Sequence, residues 1–157
     1  MLEAYRFTSG PIVKTPMDSK TVFTVNDGQA DEDTIKDYQA KIGSLLFLGI
    51  HTRSDILYAV VTLSRFMTNP SPIHIAAVKR IFRYLKTYSD MRIPYSRDGG
   101  DQLKGYTDAN WAGGNTAENS RRSTSDYIFT LAGGAILWSS KRQYTVATSL
   151  CEAEYIG

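Results

Sequence analysis

The feature that most constrains this chain is a change of hydrophobic period near residue 100. From Thr34 to Thr87 apolar residues recur at helical spacing, from Leu103 onward they alternate, and Asp98-Gly99-Gly100-Asp101 lies between. A helix buries residues i, i+3, i+4 and i+7, whereas a half-buried strand buries every second residue. One element cannot satisfy both patterns. The sequence therefore predicts an α+β chain, helical first and a small sheet second.

In the first part, Tyr38, Ile42, Leu45, Leu46 and Gly49 predict a buried helix over 34–50. Asp55 is the expected cap of a second helix, whose apolar stripe is Ile56, Ala59, Val60 and Leu63. Asn69-Pro70-Ser71-Pro72 ends it. A third helix is predicted from Ile73 to Thr87, with Val78, Ile81, Phe82 and Leu85 on its core face. Lys79, Arg80, Arg83 and Lys86 fall largely on the opposite face. Two readings fit that basic row: a solvated helix face, or a face that tracks nucleic-acid phosphates. Residues 1–33 have little periodicity and read as a mostly extended or loose lead-in.

Beyond 98, Leu103–Trp111, Ser125–Leu131 and Ala135–Trp138 read as strands, the last two joined across Gly133-Gly134. Lys141–Thr148 is an expected extension of the third strand. Residues 113–123 form a loop, and Thr148-Ser149 is the expected cap of a helix whose first turn carries Glu152 and Glu154. The expected division is thus 1–33, 34–97 and 98–157.

Composition excludes several classes. Hydrophobic residues at 42% and charged residues at 22% are ordinary globular values. No apolar run approaches the roughly 18 residues of a membrane span, and the start, MLEAYRF, is no signal peptide. The single cysteine, Cys151, can form no internal disulfide and no cysteine-based zinc site, which points to a reducing compartment. The net charge of +2 hides an asymmetry: residues 1–40 carry four Lys/Arg against seven Asp/Glu, and the remainder carries fourteen against nine. A moderately basic body suits a polyanion without requiring one. His51 and His74 have no metal-ligand spacing and read as structural; Trp111 and Trp138 read as core more than as base-stacking platforms.

Several blocks, in order, carry a family resemblance. Tyr38–Leu48 resembles YRxLVGSLLYL, Thr52–Ile56 with Tyr58-Ala59-Val60 resembles TRPDIxYAV, and Leu63–Met67 matches LSRFM. His74, Ala77, Lys79-Arg80-Ile81 and Arg83–Lys86 resemble HxxAxKRIxRYLK, and Thr15–Asp18 is TPMD. These are segments of the Pol polyprotein of copia-type LTR retrotransposons. In that family they form the helical thumb and connection that end the reverse transcriptase, followed by ribonuclease H. Leu103–Gly157, with Gly-Tyr-Thr-Asp-Ala-Asn-Trp and Ala-Glu-Tyr, resembles the first half of that ribonuclease H.

The resemblance implies a truncated ribonuclease H-like mixed sheet of three antiparallel strands and the start of its first helix. It implies hydrolysis of the RNA strand of an RNA–DNA hybrid with two Mg²⁺ ions about 4 Å apart, Mn²⁺ being an alternative. Asp108 matches the first-strand Asp and Glu154 the first-helix Glu, so both inherit catalytic and metal-ligand roles. Without the resemblance, Asp108 is an ordinary strand or turn acid and Glu152 a solvent-facing first-turn acid. Ser123, Ser125, Lys141 and Arg142 are either phosphate contacts or ordinary polar surface. The implied partners are the hybrid and the remainder of the polyprotein, with no membrane and no disulfide partner. The implied location is intracellular, in a cytoplasmic virus-like particle if the element is intact.

The departures bear on activity. Ser54 stands for a usual Pro, Asn110 for Asp, Asp126 for Gly, and Leu150-Cys151 for Ser-Thr. Asp126 is awkward wherever that Gly serves a positive φ or close packing. The polymerase acids have no counterpart, and the family's third and fourth ribonuclease acids lie past Gly157. Two carboxylates are too few to fix two ions, so this chain alone is expected to be inactive and only marginally stable. The rival expectations are a non-catalytic nucleic-acid-binding remnant, a relic reading frame with no function, and a site completed by a partner chain.

Overall fold

The computed structural model describes Tyr5, residues 11–110 and residues 122–156. It is α+β, with four α-helices and a three-stranded antiparallel sheet among the described residues. Two compact units divide it, Met1–Met91 and Arg92–Gly157.

The first unit holds α1 (Glu32–His51), α2 (Ser54–Ser64) and α3 (Pro72–Thr87). α1 starts two residues before the expected Thr34, because Asp31 caps it. Thr34 donates from its backbone N–H (2.8 Å) and its hydroxyl (2.7 Å) to the Asp31 carboxylate. That satisfies an orphan donor of the first turn. The apolar stripes meet in one core that includes Tyr38, Ile42, Leu45, Ile56, Val60, Leu63, Val78, Ile81 and Phe82. Within it the Tyr38 hydroxyl donates to the Leu63 carbonyl at 2.9 Å, and burial pushes the Tyr38 phenol up.

Two expectations change here. Asp55 is not the cap of α2; it lies inside the first turn, and its carboxylate grips Arg53. The Arg53 guanidinium donates twice to Asp55 (2.9 and 2.8 Å) and once to the Tyr88 carbonyl (3.1 Å), and the Tyr84 hydroxyl donates to Asp55 (2.8 Å). Burial alone would raise the Asp55 carboxyl; these bonds and the Arg53 charge more than offset it and hold it below its usual value. The described part of the lead-in is not loose, since Phe23 and Val13 are buried in the core. His74 is fully buried and stacked on Phe66, 3.8 Å between ring centres. Its Nδ1 accepts the Ser71 backbone N–H at 2.9 Å, closing the start of α3. The structural reading of His74 fits this placement, and desolvation lowers its pKa.

The second unit is the hairpin sheet β1 (Lys104–Asn110), β2 (Thr124–Leu131) and β3 (Gly134–Arg142), then α4 (Leu150–Ile156). Residues 92–97 belong to it: the Ser96 N–H donates to the Ala132 carbonyl (2.9 Å) and the Tyr95 hydroxyl to that of Ala135 (2.6 Å). The turn between β2 and β3 is Ala132-Gly133, at φ 52 and 80, one residue ahead of the expected Gly-Gly pair. Gly134 instead opens β3 where a Cβ would lie 2.5 Å from the Pro94 carbonyl oxygen. β3 stops at Arg142 and does not extend to Thr148. Gln143 turns inward and is buried, while Tyr144 is exposed.

Candidate functional site

Asp108 lies near the end of β1 and is exposed, with the buried Ala109 beside it. The register sets Asp108 opposite Asp126 in β2, and Asp126 opposite Ser140 in β3. Side chains alternate between faces along a strand, so these three share one face of the sheet. Ala109 and Ser125 share the other, and α4 rests there: Ala109, Ala147 and Ala153 form a small buried cluster.

Gln143 ties the helix to the sheet. Its Nε2 donates to Ser125 Oγ (2.8 Å) and to the Ala153 carbonyl (2.9 Å), and its backbone N–H donates to the Ser123 carbonyl (2.8 Å). Glu154 follows Ala153 and is exposed. Glu152 closes the helix start, accepting the Thr148 backbone N–H (2.6 Å) and hydroxyl (2.7 Å), while its own N–H donates to Ser149 Oγ (3.2 Å). Those bonds from Thr148 hold its carboxyl below the usual range. The sequence reads it as a solvent-facing first-turn acid; Glu152 is exposed in the first turn, and its bonds to Thr148 were not foreseen.

Asp126 is the departure with the clearest consequence. Its backbone is not in the left-handed region, so the feared φ strain is absent. Burial raises its pKa; the nearby Ser140 hydroxyl lowers it, and the Asp108 charge across the strands raises it further. The carboxylate oxygen Oδ1 is buried with no hydrogen bond. The Asp126 side chain thus brings a second negative charge against Asp108.

The donor set does not fit a two-ion centre. Mg²⁺ demands several hard oxygen ligands converging on each ion. Among the described residues no group of three or more His, Cys, Asp or Glu is placed to hold a metal. Asp108 and Asp126 share one sheet face, and Glu154 sits on the helix packed against the other.

The expected phosphate contacts divide in the same plain way. Ser123 is fully buried, its hydroxyl enclosed, whereas Ser125 is half-buried and accepts from Gln143. Ser123 sits inside because it leads directly into the buried start of β2. Lys141 is exposed, its ammonium 4.9 Å from the centre of the Tyr144 ring, and Arg142 is half-buried. On α3, Lys79 is exposed while Arg80, Arg83 and Lys86 are half-buried. Arg80 binds the lead-in, donating to the Thr15 carbonyl (3.2 Å) and hydroxyl (2.8 Å). Trp138 is half-buried in β3; Trp111 and most of the 113–123 loop lie outside the described residues. Gln143 was not foreseen, since a lone glutamine carries no pattern. No helix is long and apolar enough to cross a membrane among the described residues.

Fold and site together define an α+β chain in which a three-helix unit precedes an antiparallel sheet bearing a cross-strand acid pair. Comparison with known proteins makes this specific. The chain is 44% identical over 119 residues to secreted RxLR effector protein 161 of Plasmopara viticola, covering 82% of that protein. It is 46% identical over 120 residues to the retrovirus-related Pol polyprotein from transposon TNT 1-94 of Nicotiana tabacum, and 38% over 143 residues to that from transposon RE2 of Arabidopsis thaliana. It spans 9% and 10% of those two polyproteins. No family model and no solved structure matches it. The chain belongs to the family of RxLR effector protein 161, and retrotransposon Pol polyproteins are among its relatives.

Proposed function

We propose that this chain is the stretch of a copia-type Pol polyprotein that joins the reverse transcriptase thumb and connection to the start of ribonuclease H. One observation carries the reading. A closed three-helix unit is followed by three antiparallel strands with Asp108 in the first, and then by a helix carrying Glu154. That order is the one the family resemblance implies. The first unit's role is to hold nucleic acid through Lys79 and its neighbours on α3. The second contributes Asp108 to an acid set that its own described residues do not complete, with Glu154 on the helix packed against the other sheet face. Cleavage of the RNA strand of a hybrid, with Mg²⁺ or Mn²⁺, is then an activity of the larger polyprotein, and this chain alone binds without cutting.

The test uses an end-labelled RNA–DNA hybrid with Mg²⁺. The expected result is no product from this chain, and product when it is fused to the polypeptide that follows the matched segment in the RE2 relative. Asp108→Asn and Glu154→Gln should each abolish that product. Undiminished cleavage by the Asp108→Asn fusion would overturn the assignment.

A second reading is favoured by the 82% coverage of RxLR effector protein 161. A protein of nearly this extent exists by itself, so the segment serves as a self-contained binding module. Salt-sensitive binding of hybrid that Asp108→Asn leaves unchanged, with the fusion inactive, would select it.

A further inference from the structure

The first unit contains a cleft of about 250 Å³ that none of the foregoing uses. It lies between the lead-in and α3. Its floor is apolar, formed by Val13 and Phe23, with Met17 and Ile73 as walls. Its cationic rim comes from Arg80 and Arg83, about two and three turns along the helix face that begins at Ile73. Arg80 is fixed by its two bonds to Thr15. The Arg83 guanidinium has no hydrogen bond or ion pair among the described residues, although its carbonyl accepts from Thr87. Asp18 also lines the cleft, one of its oxygens accepting the Lys20 N–H at 3.0 Å; its negative charge disfavours an anion beside it, which leaves Arg83 for that role.

An apolar slot with a charged guanidinium at its mouth asks for a flat, weakly polar group bearing an anion. Pockets for drug-sized ligands run roughly 300–1,000 Å³, so this cleft admits one base with its sugar and not a duplex. An acyl chain needs a longer enclosed channel, and this cleft opens to solvent. Lys79, exposed on the same helix, continues the positive charge along a polynucleotide backbone. We infer that the cleft takes one unpaired nucleotide of a single-stranded nucleic acid, its base between Met17 and Ile73 and its phosphate on Arg83. This extends the nucleic-acid reading of the first unit from duplex backbone to strand end.

The test measures binding of fluorescein-labelled (dT)8 and of a blunt RNA–DNA hybrid to the full chain. Ala76→Trp fills the cleft from an exposed position without changing charge, and Arg83→Gln removes the phosphate donor. A charged hydrogen bond to phosphate is worth about tenfold in affinity. Each variant should therefore weaken (dT)8 about tenfold, while Ala76→Trp leaves hybrid affinity unchanged. AMP should displace (dT)8 at concentrations where inorganic phosphate does not. Unchanged (dT)8 affinity in both variants, no (dT)8 binding by the parent chain, or equal displacement by phosphate would overturn the proposal. Loss of hybrid binding by the parent chain with (dT)8 binding intact would instead strike the duplex reading alone. If Ala76→Trp fails to fold, Arg83→Gln with the AMP competition still decides.

Discussion

The two units differ in what holds them together. In the first, fifteen buried apolar residues form a continuous core, and even the irregular lead-in feeds it through Val13 and Phe23. In the second, the buried apolar cluster among the described residues is three alanines, Ala109, Ala147 and Ala153. Leu103, Tyr106, Ile136 and Leu137 of the same unit are exposed at 57%, 59%, 46% and 52%. Burial contributes about 25 cal/mol per Å², so alanines supply little. Strand pairing and polar ties such as Gln143 carry the rest. The first unit is built to stand by its own packing, whereas the second leaves apolar sheet surface that a stable domain would cover.

That contrast predicts unequal responses to equal substitutions. Leu63→Ala in the first core should cost about 3 kcal/mol, the usual cost of a buried leucine cavity, while Leu137→Ala on the exposed sheet should cost under about 0.5 kcal/mol. Urea unfolding monitored separately in each unit would show it, and similar costs would break the comparison. Next in size is Asp55→Ala. It leaves Arg53, a residue only 8% exposed, without its counter-charge, and should cost the first unit about 2 kcal/mol.

In the second unit the substitution predicted to help is Asp126→Asn. Because the folded state raises the Asp126 carboxyl above its usual 3.8, protonation favours folding. Stability then falls as pH rises from about that value through the raised one, and stays lower at neutral pH. Asp126→Asn should raise the second unit's stability by about 1 kcal/mol at pH 7 and by little at pH 3, measured by thermal melts at both. A gain that persists at pH 3 would mean that charge is not the cause. Smallest is Ala132→Gly, which relieves a left-handed alanine in the hairpin turn and should add about 0.5 kcal/mol.

Much of this was legible in the residues, and what was not has physical reasons. The helices followed from their apolar stripes, and α3 falls within one residue of its expected 73–87. The burial of Val13 and Phe23 was not readable, because isolated apolar residues carry no period. The hairpin turn shifted because Gly134 is needed for close approach to Pro94, a contact between separate segments. Asp108 and Glu154 stood out through the motifs around them. Their relation to Asp126 depends on strand register, which spacing alone cannot supply. Ser123 read as surface because its loop is polar, yet it leads into a buried strand start.

The most direct test of the account is native-state hydrogen exchange resolved by segment. It predicts that amides of β1–β3 exchange through an opening at least about 2 kcal/mol cheaper than that protecting α1–α3. Equal protection of both units would contradict a self-sufficient helical unit joined to a sheet that depends on further packing.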